Sequence, residues 1–184
     1  MEENLSQTTT SISRIAFVGP ECTGKTTICT KLAHYFQTQW VPEYMRIYLQ
    51  KKWDETQQVC QWEDLLPIAS GQMFLENQKV QQANEFLFCD TNLLEITMYS
   101  YIYYGKCPTE IETSALAHRY DIIFLAHIDV PWQADDLRDK PNERAEVLTF
   151  FKKYLSQKEI PYIFLKGSET ERFDKVISIL KQKI

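Results

Sequence analysis

The chain has 184 residues, the size of one ordinary domain, and its 44% apolar content with 10 Tyr, 10 Phe and 4 Trp suits a globular protein that buries a core without disulfides or metals. Twenty Lys and Arg stand against 25 Asp and Glu, a net charge of -5, which excludes a general nucleic-acid binder and requires any polyanionic ligand to be held by local geometry. Five cysteines without C-x-x-C spacing, a polar N-terminus without a signal segment and no long apolar run predict a reduced, cytoplasmic protein with no membrane span.

Residues 1–12 form a polar lead expected to fray. The run Arg14-Ile-Ala-Phe-Val18 is continuously apolar after its first residue and reads as a strand covered on both faces. A glycine-bounded loop follows, and from Lys25 to about Gln37 the apolar residues Ile28, Leu32, Tyr35 and Phe36 keep helical spacing. A short strand at Gln39 to Val41 leads to Pro42-Glu43-Tyr44. Helical spacing resumes at Leu65, Ala69, Met73, Val80 and Ala83, and Phe86-Leu-Phe-Cys89 is a strand ending in Asp90. Met98 to Tyr104 is rich in β-formers, but Leu94, Met98, Tyr101 and Ile102 keep the period of a helix. Strands at 122–126 and 162–165 alternate with helices near 141–158 and 169–182. Five apolar strands interleaved with helices predict one parallel three-layer α/β domain over 13–184.

Gly19-Pro20-Glu21-Cys22-Thr23-Gly24-Lys25-Thr26 satisfies G-x-x-x-x-G-K-[ST], between a predicted strand and a predicted helix. In such a P-loop, glycines let backbone N–H groups turn toward phosphate oxygens, and the helix N-terminus adds positive charge. The pattern predicts that Lys25 reaches the β- and γ-phosphates of ATP and that Thr26 offers its hydroxyl to Mg²⁺. Glu21, Cys22, Thr23 and Thr27 complete the cradle. The histidines at 34, 118 and 127 fall in no motif.

In open α/β sheets ligands bind at the carboxyl ends of the strands, so Glu43 and Asp90 should face the same crevice as the loop. Asp90 reads as the acid orienting Mg²⁺ or its waters, and Glu43 as a base for a substrate hydroxyl or a ribose ligand; the roles are exchangeable at this level. Arg46 pairs with an acid or touches a phosphate. A charged stretch from Trp132 to Arg144 reads as a lid at about 131–145, in which Arg138 first and Arg144 second would close over the transferring phosphoryl group.

Together, Gly19-Pro-Glu-Cys-Thr-Gly-Lys-Thr-Thr27, Val41-Pro-Glu-Tyr-Met-Arg46, Phe88-Cys-Asp-Thr91 and Pro131-Trp-Gln-Ala-Asp-Asp-Leu-Arg138 resemble the ribosylnicotinamide kinase domain of the bacterial NadR-type proteins. The resemblance runs from about residue 13 to the C-terminus and includes Ile68-Ala-Ser-Gly-Gln72, placing Gln72 among the substrate-binding candidates. It implies a sheet ordered 2-3-1-4-5 and ATP-dependent phosphorylation of the ribose 5′-hydroxyl of nicotinamide riboside to nicotinamide mononucleotide. That substrate carries a pyridinium cation, which acids and electron-rich rings would suit, with Trp40, Tyr44, Trp53 and Trp132 as candidate rings. Larger family members carry a DNA-binding and a nucleotidylyltransferase domain ahead of the kinase; 184 residues leave no room for them, so those activities are expected to be absent. Cys22 and Asp136 depart from the small residues expected at their positions. Another P-loop nucleoside or metabolite kinase and a non-catalytic ATP-binding module are the competing readings.

Overall fold

The computed structural model describes residues 4–133 and 142–182. Five strands, β1 (Ser13–Val18), β2 (Gln39–Val41), β3 (Phe86–Asp90), β4 (Ile122–Ala126) and β5 (Ile163–Leu165), form one parallel sheet in the order β2-β3-β1-β4-β5. Seven helices connect them among the described residues: α1 (Lys25–Tyr35), α2 (Tyr44–Thr56), α3 (Leu65–Val80), α4 (Leu93–Tyr104), α5 (Thr109–Ala117), α6 (Arg144–Gln157) and α7 (Glu169–Lys181). The architecture and strand order are those expected of a P-loop kinase.

Alternate residues of the central strands enter two different cores, which is why these strands read as unbroken apolar runs. Ala16, Val18, Leu87, Cys89, Ile123 and Leu125 face the side covered by α3, α4 and α6. Ile15, Phe17, Phe86, Phe88, Ile122 and Phe124 face α1 and α7, where Phe17 and Phe124 stack at 5.2 Å. The segment 98–104 lies in α4, so its helical period prevails over its β propensity.

Two helices have no counterpart in the sequence reading. Helix α2 has no buried residue and α5 buries only Ile111 and Ala115, so neither writes a strong apolar period into the chain. The N-terminal lead differs as well. Leu5 is buried, its carbonyl meets His118 Nε2 at 2.7 Å, and Thr8 N donates to Asn77 at 2.8 Å, so the described part of the lead is tied across α3 and the end of α5 rather than frayed.

Register brings the carboxyl ends of the strands level. Ala16 of β1 and Val41 of β2 both pair with Cys89 of β3, so the phosphate loop, the Pro42-Glu43 turn and Asp90 emerge at one edge of the sheet. No helix among the described residues is long and apolar enough to cross a membrane.

Candidate active site

The loop after β1 turns on two glycines. Gly19 has φ 149°, and a Cβ there would lie 2.9 Å from the Ala126 carbonyl, so only glycine lets this chain pass the end of β4. Gly24, at φ 80°, delivers the chain into the first turn of α1. Cys22 is also left-handed, at φ 53°, which curls the loop between them.

Lys25, the first residue of α1, is 8% exposed. Its ammonium donates to the carbonyls of Gly19 at 2.6 Å and Pro20 at 3.2 Å and lies 3.1 Å from Glu95 Oε1. Burial opposes the charge, but the carboxylates of Glu95, then Glu43 and Asp90, more than offset it and raise the pKa above the ordinary lysine range. Thr26 turns its hydroxyl to Asp90 Oδ2, while Asp90 Oδ1 is buried without a partner. Burial first and the Glu43 charge second push Asp90 up to about 6, against the pull of Lys25 and Thr26.

Glu43 precedes α2 and stands where two cavities meet the loop. One, of about 560 Å³, runs from Gly24 to Thr27 of the loop past Glu43 to a wall of Trp53, Tyr99, Tyr103 and Tyr104. The other, of about 630 Å³, is more open and is lined by Thr26, Trp40, Glu43, Arg46 and Asp90. Arg46 lines both. Lys25, Thr26, Glu43, Arg46 and Asp90 are thus brought together.

Other candidates stand behind the cavities. Gln72 is fully buried; its Oε1 accepts from Tyr44 N at 2.8 Å and its Nε2 donates to the Pro42 carbonyl at 3.2 Å, so it braces both sides of Glu43. Tyr44 packs its ring on Gly71 of α3 and lines neither cavity. Thr23 is buried, with its hydroxyl on the Pro20 carbonyl.

Arg144, first in α6, donates to the carbonyls of Val130 at 2.9 Å and Cys22 at 3.3 Å and lies 5.4 Å over the Trp132 ring. Gln133 N donates to Cys22 Sγ at 3.2 Å. These contacts seat the start of the expected lid on the phosphate loop, and they make Arg144 a brace of that loop. Asp136 and Arg138 lie outside the described residues.

Three participants escaped the sequence reading. Glu95 and Tyr99, one turn apart on α4, contact the loop from inside: Gly19 N donates to Glu95 Oε2 at 2.9 Å and Glu21 N to the Tyr99 hydroxyl at 3.1 Å. A lone glutamate in the otherwise apolar helix LLEITMYSYIYY was the available signal, because a buried carboxylate requires partners. Arg172 of α7 is 4% exposed and donates to the carbonyls of Thr23 at 2.6 Å, Gly167 at 2.9 Å and His127 at 3.0 Å, with Asp129 as its ion-pair partner. No motif spacing marks it.

Among the described residues no group of three His, Cys, Asp or Glu converges as a cation cage. Thr26 with the unpartnered oxygen of Asp90 nevertheless suits Mg²⁺, which takes one or two protein ligands and completes its shell with phosphates and water. Chemically, the site offers a fixed cation at a helix N-terminus, a hydroxyl and carboxylate for a divalent ion, and a second carboxylate at the mouth of an aromatic cavity.

Comparison with known proteins agrees with this arrangement. The chain is 25% identical over 174 residues to the trifunctional NAD biosynthesis/regulator protein NadR of Salmonella typhimurium, and equally to that of Escherichia coli; each match covers 93% of this chain. The chain spans 42% of the length of these relatives. Among solved structures, NadR in complex with NR superposes with a TM-score of 0.76 at 18% identity, covering 94% of this chain and 51% of that one. Deoxyadenosine kinase from M. mycoides follows the same fold with a TM-score of 0.67 at 12% identity, covering 92% and 99%. The AAA domain family model matches residues 14–172, from the first strand through the arginine that clamps the phosphate loop, and the chain belongs to that P-loop family.

Proposed function

We propose that this chain is an ATP-dependent kinase that transfers a phosphoryl group to the ribose 5′-hydroxyl of nicotinamide riboside, giving nicotinamide mononucleotide. One observation carries the reading: Glu43 stands between the phosphate loop and an aromatic cavity of about 560 Å³, close enough to Lys25 and Asp90 to shift both their pKa values. The similarity to NadR proteins, one of them solved with NR, supports the substrate.

In this mechanism the loop N–H groups and Lys25 bind and orient the triphosphate, while Thr26 and Asp90 hold Mg²⁺. Held there by the Thr26 hydroxyl and the Asp90 carboxylate, the ion would supply positive charge to offset the triphosphate charge that an acidic protein would otherwise repel. Glu43 accepts the proton of the attacking hydroxyl, and Asp90, engaged by Thr26, is the metal-side acid. Trp53, Tyr99, Tyr103 and Tyr104 offer ring faces to the pyridinium, and Glu43 supplies the negative charge that favours a cationic base over a neutral one. Arg138, outside the described residues, is proposed to approach the transferring group with the lid.

The test is purified protein with MgATP and a panel comprising nicotinamide riboside, deoxyadenosine and thymidine, with products followed by mass. Phosphorylation of nicotinamide riboside in preference to the others is expected. Turnover of a neutral nucleoside alone would move the reading to a deoxynucleoside kinase, and no product from any acceptor despite nucleotide binding would favour a non-catalytic module.

A further inference from the structure

Glu95 has no part in the transfer step, yet it occupies the centre of the phosphate loop. Its carboxylate is 2% exposed and spends both oxygens on the loop: Oε2 accepts from Gly19 N at 2.9 Å, and Oε1 lies 3.1 Å from Lys25 Nζ and accepts from the Thr91 hydroxyl at 3.3 Å. An ammonium has three donors. Here they are directed to Glu95 and to the carbonyls of Gly19 and Pro20, so the lysine expected to reach phosphate is wholly engaged by protein. One turn along α4, the Tyr99 hydroxyl takes the Glu21 N–H. Glu95 and Tyr99 both line the cavity that opens onto the loop, so these oxygens occupy donors of the kind that a phosphate chain uses.

We propose that Glu95 is a positioning residue whose oxygens take the loop donors that a phosphate chain would use, and that nucleotide binding transfers Lys25 from Glu95 to the phosphates. The inference rests on the nucleotide-binding reading of this site. The exchange leaves a buried carboxylate without its cation, beside a bound polyanion. The groups facing it are Lys25 from α1, Glu43 at the start of α2, the Thr91 hydroxyl and Tyr99 on its own helix; Glu21 of the loop faces Tyr99, and Asp90 of β3 faces Lys25. Burial already pushes Glu95 up to about 7 while Lys25 pulls it down, so losing Lys25 raises it further and the carboxyl takes a proton from solvent.

Calorimetric titration of MgADP into the full chain at pH 7.5, in two buffers of different ionisation enthalpy, reads this directly. The wild type is expected to take up protons on binding. Glu95→Gln, which keeps the shape and the acceptor for Gly19 N but removes the charge, is expected to bind MgADP about tenfold tighter, the equivalent of one pKa unit, with little proton uptake. A thermal melt of the variant checks that it is folded, and the wild-type measurement needs no variant. Wild-type binding without proton uptake, or a folded Glu95→Gln with equal or weaker affinity, overturns the inference. No MgADP binding by either protein overturns the underlying reading instead.

Discussion

At the scale of single residues the site is a balance of buried charges. Lys25 stays charged because Glu95, Glu43 and Asp90 surround it, and Lys25→Ala is expected to lower kcat/KM at least about 10²-fold by removing a fixed cation from the transferring phosphates. Glu43→Gln should lower kcat by about 10²- to 10⁴-fold, the range of a general base, with little change in KM for ATP; near wild-type turnover would assign the base elsewhere. Burial first and the Glu43 charge second push Asp90 up to about 6, above the ordinary carboxylate range near 4. Because the folded chain holds this proton more tightly than the unfolded one, stability falls as pH rises between those values, and the deficit is complete above about 6. Asp90→Asn is therefore expected to abolish turnover yet raise the melting temperature at pH 7.5 in EDTA, by about 1–3 kcal/mol of stability, with no gain at pH 4. A lower melting temperature at pH 7.5 would show that Asp90 stabilises the fold as an anion.

Between residue and fold, elements position the acids. Helix α3 grips the Pro42-Glu43-Tyr44 turn through Gln72 and receives the Tyr44 ring at Gly71, where an added Cβ would fall 1.9 Å from that ring. Gly71→Ala must displace Tyr44 and the start of α2, costing about 1–3 kcal/mol by overpacking and moving Glu43 off its cavity. Steady-state kinetics should show a raised KM for the nucleoside and a lowered kcat, with nucleotide affinity unchanged because the loop lies on β1 and α1. Sequence pattern placed Glu43 and Asp90 at strand ends correctly, since a short apolar strand followed by an acid is a local signal. It did not reveal α2, which forms much of both cavities, because a helix without buried residues carries little apolar periodicity.

Across the whole molecule the phosphate loop is held by elements far from it in sequence. Arg172, 149 residues from Thr23, ties the loop to the ends of β4 and β5, and Arg144 ties it to the segment after β4. Arg172→Ala leaves three backbone carbonyls and the Oδ1 of Asp129 without the Arg172 donor and is expected to cost about 2–4 kcal/mol of stability. It should also weaken MgADP binding, which Lys175→Ala on the same helix, with its amine on the Phe164 carbonyl, should not. Denaturant unfolding and nucleotide titration of the two variants check both effects; equal behaviour would mean that α7 supports the sheet without tuning the loop.

What the sequence determined by itself was local chemistry. Glycines at 19 and 24 with Lys25 and Thr26 specify a phosphate cradle because the conformations and donors are encoded within eight residues. Unbroken apolar strands likewise announce a sheet covered on both faces. Only the tertiary structure decided that Glu95 of α4 rises beneath Lys25, that Gln72 backs Glu43, that Tyr99, Tyr103 and Tyr104 turn one side of a buried helix into a cavity wall, and that Arg172 closes the loop from behind. These contacts join residues brought together by strand order and helix packing, and a pairing between distant segments leaves no fixed spacing in the chain to be read.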